Sequence, residues 1–388
     1  MPSGPEILVL HVGFNPSTGV LRVIQSLLSW TERQSGLAAA AGVFAQREWP
    51  LECRSALEGL GLPFFLHQVP SFPGANLLQL FACPLTSWVK ELHDTFRPKN
   101  FVVHLHHGPL SGIYLPVKAR LDCPMALVST FHGGVYEYLP AWKQTAFRFL
   151  ARRLRRFGLN LTAVNRQDIP KYTRLFAIPA KRFRVIPNGV EDKGLRGCPR
   201  LTDPSAPLTV GFMGVLDNNK GWDLTGQAVE QLYQEGQPVT YLMAGRGPDS
   251  EAAAAWAKDR PFVRFLGFVP NAGENLMPRF DVLVAPSIVE GAPMSIIEAL
   301  SCGVPVIATA VGGVPDMIDH GYNGFLIERT SAAIAGCLHE LVRDVERHRR
   351  MSQAASKVFL ERFEINRIGC EYITFYKEIL AREHPFDS

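Results

Sequence analysis

Two carboxylates, Glu290 and Glu298, stand with seven residues between them in the run Glu290-Gly-Ala-Pro-Met-Ser-Ile-Ile-Glu298-Ala-Leu-Ser-Cys-Gly-Val-Pro-Val-Ile-Ala308. Upstream, Asp281-Val-Leu-Val-Ala-Pro-Ser287 reads as a buried parallel strand, and downstream Pro293 is placed to open a helix that Gly303 stops. Glu290 then falls on the loop and Glu298 inside the helix. Acids at such a corner can grip sugar hydroxyls, while the amides of the helix N-terminus attract phosphate, a combination that suits a sugar nucleotide. Taken alone, such a spacing more often marks two solvated surface acids. The flanking Pro286-Ser287, Gly291, Ala299-Leu300 and Gly303-Val-Pro-Val argue against that, because small and apolar residues press the helix onto the sheet.

Histidines are the second group able to do chemistry. In Val103-His104-Leu-His106-His107-Gly108, a strand puts His104 and His106 on one face and His107 on the other. With no carboxylate or cysteine to complete a ligand set, no metal is expected there. His132, in Ser129-Thr-Phe-His132-Gly133-Gly134, follows an apolar strand and is either a core histidine or a group reaching a site. The seven cysteines are scattered and never form a Cys-x-x-Cys pair, so neither a disulfide framework nor zinc is expected and a reducing cytosol is the plain reading.

These groups need elements to position them. At 388 residues the chain fits two domains, each able to bury its own core. Apolar runs and amphipathic segments alternate: Ile7 to Val12 then Thr18 to Trp30, Phe101 to Leu105, Met125 to Phe131, and Leu161 to Val164 then Asp168 to Phe176. The rhythm repeats with strands at Leu208 to Met213, Thr240 to Ala244, Phe262 to Leu266, Val282 to Ala285 and Val304 to Ala308. Two such series imply two doubly wound parallel sheets, with a cleft between them as the natural active site. Glu191 to Pro207, rich in Gly, Pro and charge, reads as the linker, and Glu364 to Leu380 as a long helix with one buried face.

Lys and Arg exceed Asp and Glu by 40 to 36, a surplus too slight to argue for nucleic acid. From Lys143 to Phe157, however, Arg148, Arg152, Arg153, Arg155 and Arg156 flank a stripe of Phe147, Leu150, Leu154 and Phe157. This is the pattern of an interfacial helix that could meet an anionic membrane surface, or of a stripe packed on a sheet with solvated arginines. The first residues carry no charged, long apolar leader and no run reaches membrane-spanning length, so a soluble or peripherally attached protein is expected.

The segment from Glu290 to Ala308 resembles the signature of the family 4 retaining glycosyltransferases, glycosyl transferases group 1, which have the GT-B fold. The resemblance extends through Val185-Ile-Pro-Asn-Gly-Val190, Lys220-Gly-Trp-Asp223, Ala244-Gly-Arg-Gly-Pro248, Val263-Arg-Phe-Leu-Gly267, Gly312-Gly-Val-Pro315 and Gly324-Phe-Leu326, in family order. It implies an α/β protein of two Rossmann-like domains: an acceptor-binding domain over 1–190, a linker over 191–207, a donor-binding domain over 208–363, and a C-terminal helix over 364–388 crossing back to the first domain. By the same resemblance Glu298 would hold the ribose, Glu290 the transferred sugar, and Lys220 the leaving diphosphate. The backbone around Gly291, Ala292, Met294 and Ser295 would face sugar and phosphates. His132 would contact the donor sugar, and Gly19, in Asn15-Pro-Ser-Thr-Gly19-Val20, would admit the diphosphate.

One departure concerns Gly214-Val215-Leu216, where relatives place Arg after the glycine. A charged hydrogen bond of that kind contributes about 1.5–3 kcal/mol, and Arg246, on the Gly-Arg-Gly-Pro turn, is either its substitute or an ordinary surface arginine. The resemblance further implies a UDP- or GDP-sugar donor, no divalent metal or other cofactor, and retention of configuration. It implies an acceptor hydroxyl on a glycan or lipid-linked sugar, as in cell-surface polysaccharide or lipopolysaccharide biosynthesis. The location would be cytoplasmic, peripheral at the inner membrane through the Arg148–Arg156 helix. Two alternatives stay open: a catalytically silent GT-B homologue acting as a binding subunit, and a GT-B sugar epimerase or phosphorylase. A nicotinamide dehydrogenase is disfavoured, since Gly245-Arg-Gly247-Pro-Asp-Ser250 lacks the last glycine of that motif.

Overall fold

The computed structural model of the chain describes residues 4–14, 18–46, 51–69, 85–106, 121–133, 140–142, 144–145, 148–149, 159–196 and 206–382. The chain divides into two compact units, one of Met1–Gly189 with Ile365–Ser388 and one of Val190–Glu364.

The first unit holds β1 (Ile7–Phe14), α1 (Thr18–Glu32), β2 (Leu37–Gln46), α2 (Leu51–Glu58), β3 (Phe64–Val69), α3 (Leu85–Phe96), β4 (Phe101–Leu105), β5 (Met125–Phe131), β6 (Asn160–Ala163), α4 (Ile169–Phe176) and β7 (Phe183–Val185). Its strands pair in parallel in the order β3-β2-β1-β4-β5-β6-β7. Such a sheet is buried on both faces, and the described strands accordingly read as apolar runs, with every residue of β4 and β5 buried. On one face Leu21, Ile24 and Leu28 of α1 pack over Ala39, Ala41 and Val43. On the other, Trp88 of α3 lies so close to β2 that a Cβ on Gly42 would fall 2.6 Å from its ring. Each such large apolar side chain, fully buried, contributes roughly 1.5–3 kcal/mol.

The second unit runs β8 (Leu208–Met213), α5 (Trp222–Gln234), β9 (Val239–Ala244), α6 (Ser250–Lys258), β10 (Val263–Gly267), α7 (Ala272–Asn275), β11 (Val282–Ala285), α8 (Met294–Ser301), β12 (Val306–Thr309), β13 (Gly324–Ile327), α9 (Ser331–Arg343) and α10 (Val345–Arg362). All its strands are parallel, in the order β10-β9-β8-β11-β12-β13. This is the Rossmann order, which reverses between β8 and β11, the place where such sheets open a crevice at their strand ends. Local sequence sets the helix ends. Pro293 precedes α8 at φ −63, Gly303 follows it at φ +70, and Thr330 and Asp344 cap α9 and α10 by accepting from Ala333 N and Arg347 N.

The chain enters and leaves this unit at adjacent points: Val190 bridges Glu364, and Val190 N donates to Phe363 O at 3.1 Å. The last helix, α11 (Ile365–Arg382), belongs to the first unit. Its buried stripe of Ile365, Ile368, Tyr372, Phe375, Tyr376, Ile379 and Leu380 faces that unit, and Trp30 Nε1 donates to Asn366 Oδ1 at 3.0 Å. Gly369 is obligatory at the crossing, since a Cβ there would stand 2.4 Å from Trp30 Cδ2.

Candidate active site

The loops after β8 and β11, on either side of the order reversal, carry Lys220 and Glu290. Gly221, at φ +70, lets the β8 loop turn flat against Pro286; a Cβ there would lie 2.8 Å from the proline ring. Ile288 N then donates to Asn219 O at 2.8 Å, and Arg329 donates from Nε to Pro286 O at 2.8 Å and from Nη2 to Asn218 O at 2.5 Å. So stitched, the two loops deliver Lys220 Nζ to Glu290 Oε1 at 2.6 Å. Ser287 Oγ donates to the same oxygen at 2.7 Å, and Ser287 is itself held by Thr309 Oγ1 donating to its carbonyl at 2.5 Å. Two donors on Oε1 orient the carboxylate and leave Oε2 as its further accepting oxygen. Glu290 also requires a bare neighbour: a Cβ on Gly312, at φ +51, would fall 1.8 Å from its carbonyl oxygen.

Glu298 lies inside α8, 6% exposed, and its carboxylate packs on α7, where a Cβ on Gly273 would stand 2.8 Å from Cδ. Met294 and Ser295 form the first turn of α8, whose leading amides have no intrahelical acceptor, and Gly291 and Ala292 lie just ahead of them. Burial pushes the adjacent Cys302 thiol up to about 11, which keeps it protonated and inert. The β8 loop is joined on its other side to the Gly-Arg-Gly-Pro turn. Gly245 N donates to Gly267 O at 2.8 Å, Leu216 N to Arg246 O at 3.2 Å, and Gly245 at φ +149 leaves 1.8 Å between an added Cβ and Gly214 O. The Arg246 guanidinium stacks over the Phe268 ring, 4.5 Å from its centroid, while Val215 beside it is 48% exposed.

His132 belongs to the first unit. Register explains its company: His11 of β1 lies directly across from His104 of β4, His106 shares the face of His104, and His132 follows β5 one strand over. His11 Nδ1 and His106 Nε2 are hydrogen-bonded at 3.1 Å, and His106 Nδ1 and His132 Nε2 at 2.9 Å. His104 bonds Tyr376 OH of α11 at 2.6 Å through Nδ1 and Thr130 Oγ1 at 2.5 Å through Nε2. Burial holds His11, His104 and His132 neutral, lowering His11 to about 3 and His132 to about 4, and lowering His104 well below the usual range with help from His11 and His132.

A metal cluster was not expected from His104 and His106, yet His11 adds a third ring, and ring nitrogens of His11, His104 and His106 lie within 4.8 Å of one another. Both nitrogens of His104 are engaged by hydroxyls, so an ion would have to displace Tyr376 or Thr130.

The structure thus brings Lys220 and Glu290 into contact, buries Glu298 in α8 against Gly273, and places Arg246 on Phe268. Gly19 sits in the first turn of α1, while Asn15 to Ser17 lie outside the described residues. So do Arg152, Arg153, Arg155 and Arg156 of the basic segment, whose described part is helical with Trp142 56% and Phe149 61% exposed. Among the described residues no helix is long and apolar enough to cross a membrane. Sequence reasoning missed Ser287, Arg329, Gly273 and His11. Ser287 alone had a local signal, three residues before Glu290 on the same loop.

A family model described as glycosyl transferases group 1 matches residues 207–344, and one described as a glycosyl transferase 4-like domain matches residues 18–189. The 2-deoxystreptamine N-acetyl-D-glucosaminyltransferase of Streptomyces fradiae is 31% identical over 327 residues, covering 78% of this chain and 76% of that one. A phosphatidyl-myo-inositol mannosyltransferase of Mycobacterium leprae is 27% identical over 72% of this chain and 73% of its own. Among solved structures, Anabaena HepE in complex with UDP is similar in fold, with a TM-score of 0.75 at 20% identity over 96% of this chain and 100% of that one. The chain belongs to the family 4 glycosyltransferases, the glycosyl transferases group 1, and has the GT-B fold of two parallel-sheet α/β domains.

Proposed function

We propose that the protein is a retaining, metal-independent glycosyltransferase that moves a hexose-type sugar from a UDP- or GDP-sugar to a hydroxyl of a glycan or lipid-linked acceptor. The observation that carries this reading is the Lys220–Glu290–Ser287 constellation, set at the order reversal of a Rossmann sheet, with Glu298 buried in the helix that follows the loop. Lys220 supplies the positive charge for the leaving diphosphate, and the leading amides of α8 add the helix-end field, so the two take the electrostatic role that a divalent ion fills elsewhere. Glu298 accepts from the ribose hydroxyls. Glu290, fixed through Oε1, keeps Oε2 for the sugar and for the positive character that develops at its anomeric carbon.

In the reaction the bond from the anomeric carbon to the β-phosphate oxygen breaks while the acceptor oxygen bonds to that carbon on the same face. The acceptor proton passes to a phosphate oxygen, and the nucleoside diphosphate leaves. Arg246 serves as the second cation in place of the arginine replaced by Val215. UDP in the HepE complex and the glycosyl acceptors in the relatives' names support this donor and acceptor chemistry.

A second acceptor reading is favoured by the relatives themselves: deoxystreptamine and inositol are both polyhydroxylated six-membered rings, so a free or lipid-borne cyclitol is the other class to test. A thermal-shift panel of UDP- and GDP-sugars tests the donor, with stabilisation by one of them expected. Product NMR with the matching donor then reads the anomeric configuration, and activity retained in EDTA is expected. Silence across the panel would favour a binding subunit instead.

A further inference from the structure

A neutral imidazole carries one N–H and one lone pair, so each hydrogen bond it makes through one nitrogen dictates what the other nitrogen can do. In the series His11 Nδ1–His106 Nε2 and His106 Nδ1–His132 Nε2, this rule leaves two arrangements. If His11 donates, His106 must accept at Nε2 and donate from Nδ1, and His132 must accept at Nε2 and carry its proton on Nδ1. If His132 donates, every proton sits on Nε2 instead. Mixed states would set two N–H groups or two lone pairs face to face at 3.1 or 2.9 Å. All three rings therefore share one tautomer. The near end of the series is chemically open: His132 Nδ1 is buried and has no hydrogen-bond partner among the described residues.

We propose that His11 and His106 are positioning residues that act through His132, their shared tautomer deciding whether His132 Nδ1 presents an N–H or a lone pair to a hydroxyl of the donor sugar. The inference rests on the proposed glycosyltransferase function and on the sugar contact of His132 that the family resemblance implies. It assigns a purpose to two histidines buried in β1 and at the end of β4, where their strand neighbours Leu10, Val12 and Leu105 are apolar. His104 stays outside the series, since its ring nitrogens face Tyr376 and Thr130. Burial keeps His11 and His132, the two ends of the series, uncharged, so the series selects a tautomer rather than storing a proton, and a positive charge is kept away from the anomeric carbon.

The test is long-range proton–nitrogen NMR on the full chain labelled with ¹⁵N-histidine, assigned by single substitutions. His11, His106 and His132 are expected to be neutral and to show the same tautomer near pH 7. His11→Phe, which deletes the far end, should leave His132 interconverting between tautomers and lower kcat/KM for the nucleotide sugar about tenfold, with affinity for UDP or GDP alone unchanged. His11→Asn, whose side-chain amide falls near the position of Nδ1, should restore most of the activity. Different tautomers in the wild-type rings, an imidazolium among them, or stoichiometric zinc binding that shifts all three would overturn the proposal. So would a His11→Phe protein that loses the shared tautomer yet keeps its kcat/KM. Undiminished transfer in His132→Phe would overturn the role of His132 itself, an outcome that the tautomer measurement separates from a failure of the series.

Discussion

Mild acid should destabilise the first unit of this protein well above the carboxylate range. Burial holds His11 at about 3 and His132 at about 4, against about 6.5 in an unfolded chain. The folded rings stay neutral as pH falls from 7.5 to 5, while the unfolded rings take up protons, so stability is full above about 6.5 and drains progressively below it. Over that interval His11 costs about 2 kcal/mol, and His132, which keeps some exposure, costs up to a similar amount. His104 pushes in the same direction. A loss of about 2–4 kcal/mol is a large part of a typical domain stability of about 5–15 kcal/mol. It corresponds to a fall of roughly 4–16 °C in Tm for a unit of this size. Calorimetry from pH 7.5 to 5.0 at constant ionic strength, with hydrogen exchange to assign the transition to β1, β4 and β5, measures it. His11→Phe should flatten the slope. A first-unit transition that moves by less than about 2 °C over this interval would refute the argument, because it would mean that these rings are already charged or solvated when folded.

Ser287→Ala removes one of the two donors on Glu290 Oε1, and loss of a charge-assisted hydrogen bond worth about 1.5–3 kcal/mol should lower kcat about tenfold or more while leaving nucleotide affinity nearly intact; steady-state kinetics and UDP or GDP titration separate the two. Gly273→Ala drives a methyl group to within 2.8 Å of the Glu298 carboxyl carbon and should weaken nucleotide binding by at least tenfold, read by calorimetric titration, with little change in Tm. Deleting α11 by a stop after Glu364 should expose the apolar face beneath Tyr372, Phe375 and Tyr376, giving strong binding of a hydrophobic dye and loss of the first unit's cooperative transition in calorimetry.

Much of the candidate site around Glu290 and Glu298 was legible because its signals are local. A buried run ending in Ala285, a proline ahead of a helix and a glycine after it define the corner that holds Glu290 and Glu298 without reference to the rest of the chain. The histidine series was illegible for the opposite reason. His11 sits in an apolar strand with no neighbouring cue, and it meets His106 only because β1 and β4 are adjacent in the sheet, a register that no single strand encodes. Arg329 is similar, lying 43 residues from Pro286, to which it donates, and 111 from Asn218. Strand β2 escaped notice because Leu-Ala-Ala-Ala-Ala-Gly is poor in β-branched residues; its small side chains suit the close approach of α1 and Trp88 rather than strand propensity.

The bridge between Val190 and Glu364 makes the second unit an insertion with its two ends side by side. Synthesis on the ribosome therefore proceeds out of step with the usual N-terminal-first order. The first sheet emerges early but waits for α11, the last helix described, to cover Trp30 and His104. The whole second unit, contiguous in sequence, can close its core in the meantime. The nascent chain should thus hold a finished second unit while the first is still open, and the first unit's sheet is the surface that a chaperone would have to shield until α11 is made.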